Sequence, residues 1–106
     1  MKIADAHVGG LYTTREDRVF VKHRCYGRDW LVVRLRHATH TKATNNGARD
    51  LHAFDGRTCL HVIARRDAHH RGPDDRYTHH VLIDDEVLPV LGSYWRSIEE
   101  VISESR

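Results

Sequence analysis

The sequence predicts a mainly β (α+β) fold, a small and strongly bent antiparallel barrel of five to six short strands followed by an amphipathic C-terminal helix. Residues 18–24 and 30–36 alternate between apolar and polar side chains, which is the period of a half-buried strand. Turn signals rich in Gly, Asn and Asp separate further short runs, and the period becomes helical only after Ser93. An open sheet with the helix across one face is the alternative arrangement.

The N-terminal part of the chain is predicted to form three strands. The first runs from Val8 to Thr14 and is entered through a pair of glycines. A polar turn leads into the second strand, from Arg18 to Cys25. The third runs from Trp30 to about residue 38, after a glycine-containing turn at 26–29 that is typical of a hairpin.

The middle of the chain combines two polar loops with short strands. Residues 37–50 contain no large apolar side chain and carry an Asn-Asn-Gly turn signal, so a functional or mobile loop is expected there. Strands are predicted at 51–54, 58–66 and 77–83, and a second polar loop is predicted at 67–76.

The C-terminal segment is predicted to be helical over 93–104, with Ser93 as the N-cap. Its apolar side chains recur at helical spacing. They are Tyr94, Trp95, Ile98, Val101 and Ile102. The acidic residues 84–86 are predicted to open a short helical turn, which Pro89 limits.

The alternating runs predict a hairpin with one apolar face and one cationic, aromatic-tipped face, because successive side chains of a strand point to opposite sides. The apolar face is predicted to carry Val19, Val21, Leu31, Val33 and Leu35. The opposite face, called here the arginine/aromatic face, is predicted to carry Arg18, Phe20, Lys22, Arg24, Trp30, Arg34 and Arg36. Lys22, Arg24, Arg34 and Arg36 are expected to share its exposed side.

Length and composition fit one domain of 106 residues, with a barrel core at about 8–84. The formal net charge is +2, which is low for a protein that coats nucleic acid. Three of the 17 basic residues are lysines, which leaves 14 arginines. Arginine forms bidentate contacts and stacks on aromatic rings, so this bias suits an interface. A preference for arginine codons in a GC-rich gene would produce the same bias.

Several classes of protein are disfavoured. No apolar stretch approaches the roughly 18 residues that span a bilayer, and the N-terminus lacks the apolar region of a signal peptide, so a cytoplasmic protein without a membrane partner is expected. Cys25 and Cys59 are expected to be reduced. The chain has no nucleophile elbow, P-loop or dinucleotide fingerprint, so neither catalysis nor a cofactor is expected.

A histidine metal site is a weaker alternative. Ten histidines are present, and a hairpin could bring His69 or His70 towards His79 or His80, with an aspartate at 74 or 75. Adjacent strand residues point to opposite faces, so each histidine pair offers one ligand at most. Solvated histidines without a metal are the expectation.

The arginine/aromatic face favours a binding protein, with docking on another protein as the leading hypothesis. Partner contacts are expected from Phe20, Lys22, Arg24, Trp30, Arg34 and Arg36. The long loop would add His40, Lys42 and Arg49. Stacking aromatics among cations also suit nucleic acid, which is the alternative partner. The oligomeric state is left open.

Short motifs along the first two thirds of the chain resemble small SH3-like proteins of actinobacteria and their phages. The motifs are Val8-Gly-Gly-Leu-Tyr12, Arg18-Val-Phe-Val, Trp30-Leu-Val-Val-Arg-Leu, Arg49-Asp-Leu-His-Ala-Phe54 and Leu60-His-Val-Ile63. The resemblance covers residues 8–65, and residues 66–106 have no counterpart in it. It implies an SH3-like barrel and a small, non-catalytic accessory protein that docks on a host protein to modulate or inhibit it. It carries over no site residue.

Overall fold

A computed structural model of the chain describes residues 6–14, 17–37, 42–44, 47–65, 79–90 and 101–104. Within these ranges the fold is mainly β and contains no helix. The strands are β1 (Leu11–Thr14), β2 (Arg18–Cys25), β3 (Arg28–Leu35), β4 (Arg49–Ala53), β5 (Leu60–Arg65), β6 (His79–Ile83), β7 (Glu86–Pro89) and β8 (Val101–Glu104). In these described ranges, no helix has the length and apolar character that crossing a membrane requires.

The strands form two antiparallel sheets. The large sheet has five strands in the order β7-β6-β5-β1-β8, and the small sheet has three in the order β3-β2-β4. A single parallel bridge between Leu31 and Val90 connects the β3 edge of the small sheet to the chain just after β7. Among the described strands neither sheet closes on itself, so the predicted closed barrel is not supported.

In the hairpin of β2 and β3, β2 has the predicted bounds, and the turn is shorter than the predicted turn at 26–29. Tyr26 and Gly27 alone form the turn, and both have positive φ, at 53° and 70°. Positive φ at both central residues is what a type I′ turn requires, and its twist matches that of the flanking strands. Cys25 therefore pairs with Arg28, and odd-numbered residues of β2 face even-numbered residues of β3.

The region of 84–90 corrects one prediction. Asp84 and Asp85 form a two-residue turn between β6 and β7, with Ile83 paired with Glu86, so no helical turn begins there. Asp84 has a φ of 53°, in the left-handed region that aspartate tolerates better than most residues. The acidic run thus closes a hairpin instead of starting a helix.

The C-terminus corrects another prediction. Val101–Glu104 is strand β8 and pairs antiparallel with β1 at the edge of the large sheet, where a helix was expected. The β-branched residues Val101 and Ile102 suit either element by spacing, and the free edge of β1 supplies hydrogen bonds for a strand. Residues 93–100 lie outside the described residues, as do all the residues of the loop predicted at 67–76.

The main core lies between the two sheets. The inner face of the large sheet contributes six buried side chains, Tyr12, Leu60, Val62, Val81, Ile83 and Leu88. The facing side of the small sheet, called its inner face, contributes Phe20, Leu31 and Val33. A second buried cluster lies on the outer face of the small sheet and contains Val19, Val21, Cys25, Trp30 and Val32. The small sheet is therefore buried on both faces.

Candidate functional site

The predicted arginine/aromatic face does not exist as one surface. Register places Lys22 opposite Leu31 and Arg34 opposite Val19, so the two cations lie on opposite faces of the small sheet. The prediction that they share one exposed side with Arg24 and Arg36 is wrong. Four of the five apolar positions are buried as predicted, namely Val19, Val21, Leu31 and Val33, but they divide between the two faces. Leu35 is 48% exposed, which contradicts its predicted burial.

The two aromatic residues of that predicted face are both fully buried. Phe20 belongs to the core between the sheets, and Trp30 belongs to the cluster on the outer face of the small sheet. Trp30 donates its indole N–H to the Cys25 carbonyl at 3.0 Å, and the Arg28 guanidinium lies 5.3 Å from its ring centroid. Neither ring presents a free face for stacking on a base or on a partner side chain.

Lys22 and Arg24 are neutralised within the protein. The Arg24 guanidinium donates to both carboxylate oxygens of Asp29, at 2.8 and 3.3 Å. Lys22 donates to Glu86 on β7 and lies 3.8 Å from Asp29. Hydrogen bonding from Arg24 holds the pKa of Asp29 below its ordinary 3.8, and hydrogen bonding to Glu86 raises the pKa of Lys22. The Lys22–Glu86 pair also ties the small sheet to the large one.

Arg34 belongs to a buried ionic network on the outer face of the small sheet. Its Nη2 and Nε atoms lie 3.3 and 3.4 Å from the Asp50 carboxylate. Asp50 also contacts His23, whose Nδ1 atom lies 2.7 Å from Oδ1. Only 5% of the His23 side chain and 3% of the Asp50 side chain are exposed. We call these three residues the His23–Asp50–Arg34 network.

The network was not predicted, although part of its signal is in the sequence. Val21, His23 and Cys25 are alternate residues of β2, so their side chains lie on the same face of the sheet. Because that outer face is covered, His23 is buried with its two neighbours. Asp50 directly opposes His23 because β4 pairs with β2, and nothing local in the sequence specifies that pairing. The buried carboxylate of Asp50 is hydrogen-bonded, and a substrate cannot reach it because its side chain is only 3% exposed.

The remaining predicted contact residues are scattered. Arg36 is exposed and its guanidinium lies against Gly56, and Lys42 and Arg49 are exposed as well. His40 lies outside the described residues. The predicted contact residues that the structure describes therefore do not form one cluster.

The metal alternative has no supporting geometry in the described part of the chain. No group of three or more His, Cys, Asp or Glu side chains there is arranged to hold an ion. His79 is buried, and its Nε2 atom lies 3.3 Å from the Ala6 carbonyl. The other candidate ligands, His69, His70, Asp74 and Asp75, lie outside the described residues, so that part stays a prediction.

The outer face of the large sheet carries an exposed apolar surface that the sequence did not reveal. Leu11 pairs with His61, His61 with Leu82, and Leu82 with Val87, so these four residues form one row across β1, β5, β6 and β7. We call them the apolar row, in which His61 is the one polar member. Leu11 is 39% exposed and Val87 is 54% exposed. Ile63, at the bulge of β5, is also exposed beside the row.

This outer face lacks fixed charge in the strands that the structure describes with side chains. Its outward positions on β1, β5, β6 and β7 are Leu11, Thr13, His61, Ala64, His80, Leu82, Val87 and Pro89. Exposed charges lie beyond the ends of these strands. Asp84 and Asp85 form the turn between β6 and β7, and Arg65 ends β5 opposite the buried His79, on the inner side of the sheet.

The chain was compared with protein-family models, curated proteins and solved structures. None of them matches it. The assignment of a function therefore depends on the geometry of these two sheets.

Proposed function

We propose that this chain is a non-enzymatic binding protein that docks on another protein through the outer face of the large sheet. The observation that carries the proposal is the apolar row, in which Leu11 and Val87 are exposed although their strands bury a core on the opposite side. Exposed apolar side chains grouped on one face of a small protein mark interaction sites.

The chemistry of this face indicates the kind of partner surface. Removing apolar area from water stabilises a complex by roughly 25 cal/mol per Å². A face whose outward positions on β1, β5, β6 and β7 carry no carboxylate, ammonium or guanidinium group gains nothing from a strongly charged partner. The partner surface is therefore itself apolar and uncharged at its centre. A bacterial host protein, the partner class that the resemblance implies, remains within the proposal.

Burial of Phe20 and Trp30 disfavours the nucleic-acid alternative, because recognition of single strands uses exposed rings on which bases stack. Internal pairing of Lys22, Arg24 and Arg34 removes much of the cationic surface that phosphates would contact. The closed His23–Asp50 pair supports a binding role over a catalytic one, because a substrate cannot reach it.

Site-specific photocrosslinking tests the proposal. A photoreactive residue at Val87, which is 54% exposed, reports on the proposed face, and one at Leu35, which is 48% exposed on the small sheet, is the matched control. We expect irradiation in producing cells to yield a discrete protein adduct from position 87 and none from position 35. The adduct should be lost when Leu11→Lys is added. Equal labelling from both positions, or adducts insensitive to Leu11→Lys, would contradict the proposal.

A further inference from the structure

We infer that pH controls docking at the outer face of the large sheet, which binds apolar surface while His61 is neutral and releases it when His61 is protonated. The inference rests on the proposed function, because it names the regulation of the same face. It is carried by the position of one titratable side chain inside a surface that has no fixed charge.

His61 lies inside the apolar row, between two leucines. It pairs with Leu11 on β1 and with Leu82 on β6, and Val87 follows Leu82 on β7. His61 and Leu82 are half-buried, whereas Leu11 and Val87 are exposed. A partner that covers both ends of the row must therefore also cover the imidazole ring between them.

The surroundings of His61 offer no counter-charge to its protonated form. The neighbouring strands β1 and β6 present outward Leu11, Thr13, His80 and Leu82. On its own strand side, the exposed Cys59 precedes it by two residues, and acidification leaves a thiol neutral. Asp84 and Asp85 form the turn beyond β6, and Arg65 lies on the inner side of the sheet. Within the described part of the chain, no carboxylate forms an ion pair with the His61 ring.

His80 occupies a similar place in the next row of the same face. It pairs with Ala64 on β5 and with Pro89 on β7, and it is half-buried. Its protonation would add a second positive charge to the outer face. Acidification thus acts on this face twice, and in the same direction.

The cost of burying a charge gives the direction of the effect. Histidine is the side chain that ordinarily changes its charge between about pH 5 and pH 8. Neutral imidazole can enter an apolar interface, whereas imidazolium would lose its water without gaining a counter-charge there. A site that admits only the neutral form weakens about tenfold between about pH 7.5 and about pH 5.5, because the proton must leave before binding. Binding is therefore complete at the higher pH and is lost on acidification.

Retention on an uncharged phenyl matrix at fixed salt tests the inference without a natural partner. We expect the retention factor of the chain to fall about tenfold between about pH 7.5 and about pH 5.5. His61→Gln is polar but does not titrate, so it should remove most of this fall. His61→Lys should be weakly retained at both pH values. His52→Gln, at an exposed position of the small sheet, is the matched control and should keep the full fall. Unfolding cannot imitate the result, because an unfolded chain exposes its core and is retained more strongly.

One further variant separates this inference from the proposed function. Leu11→Lys should remove most of the retention at about pH 7.5, because it places an ammonium group on the outer face. If the original chain is not retained, or if Leu11→Lys is retained equally, the outer face does not bind apolar surface and the proposed function fails together with the inference. If Leu11→Lys weakens retention but acid does not, or if His61→Gln and the original chain fall in parallel, the outer face remains the docking surface and control by His61 is overturned.

Discussion

The Nδ1 atom of His23 lies 2.7 Å from Oδ1 of Asp50, in a part of the small sheet where both side chains are almost fully buried. His23 belongs to β2 and Asp50 to β4, and Arg34 reaches the same carboxylate from β3. The network thus joins every strand of the small sheet through side chains. It holds β4, a short edge strand with largely exposed side chains, in its register.

Removing the charge of Asp50 is expected to destabilise the fold. Asp50→Asn keeps the shape of the side chain but removes the negative charge that faces the Arg34 guanidinium, which is only 15% exposed. Breaking one partner of a buried ion pair costs about 3 kcal/mol. Urea denaturation should measure this loss in the free energy of unfolding. The control Asp85→Asn, at an exposed turn position, should change it by less than about 0.5 kcal/mol.

Substitution of Arg34 and of Arg36, which are two residues apart at the end of β3, should affect the stability of the fold differently. Arg34→Met removes a partner of the buried Asp50, and we expect a loss of about 2 kcal/mol, discounted because His23 remains. Arg36→Met changes an exposed side chain and should cost less than about 0.5 kcal/mol. Chemical denaturation of both variants makes the comparison. Equal losses in the free energy of unfolding would show that Arg34 contributes no more to stability than the exposed Arg36.

The alternation of side chains in β2 and in β3 could be predicted from the sequence. Which residues of β3 share a face with which residues of β2 depends on the length of the turn. Any turn with an even number of residues sets odd positions of β2 opposite even positions of β3. The two-residue turn therefore places Lys22 beside Leu31, whereas grouping side chains by polarity places it beside Arg34. The same rule puts Trp30 directly opposite His23, on a buried face.

Features that depend on distant pairing could not be predicted from local patterns. Val101 and Ile102 are apolar neighbours that fit a helix or a strand equally, and their partner β1 lies at the other end of the chain. Val87 becomes an outward residue of a sheet only because Asp84 and Asp85 form a hairpin turn. The apolar row follows from pairings among four strands, so no single segment of sequence reveals it.

Gly10 is expected to tolerate no side chain. A Cβ atom there would lie 2.6 Å from the Cε2 and hydroxyl oxygen atoms of Tyr12, a ring that is fully buried and fixed by a hydrogen bond from the His7 amide. Overpacking of this kind costs about 1–3 kcal/mol, so Gly10→Ala should lower the melting temperature by several degrees. Gly56→Ala is the control, because its nearest neighbour is the movable end of the exposed Arg36 side chain. Similar losses in both variants would contradict the argument.

The burial of His79 predicts that the folded protein loses stability on acidification. Burial lowers the pKa of His79 below its ordinary 6.5, the positive charge of Arg65 lowers it further, and the hydrogen bond to the Ala6 carbonyl opposes both. In the unfolded chain, His79 therefore binds a proton at a higher pH than it does in the folded protein. The contribution of a neutral His79 is complete above about pH 6.5 and declines as the pH falls through the window below it.

Thermal melting at about pH 7.5 and about pH 5 measures this contribution. His79→Gln keeps an amide that can donate to the Ala6 carbonyl but does not titrate, so the fall in melting temperature between the two pH values should be smaller in this variant. His37→Gln, at an exposed position, should retain the full dependence of the original chain. If His79→Gln and the original chain lost stability in parallel, protonation of His79 would not be the cause.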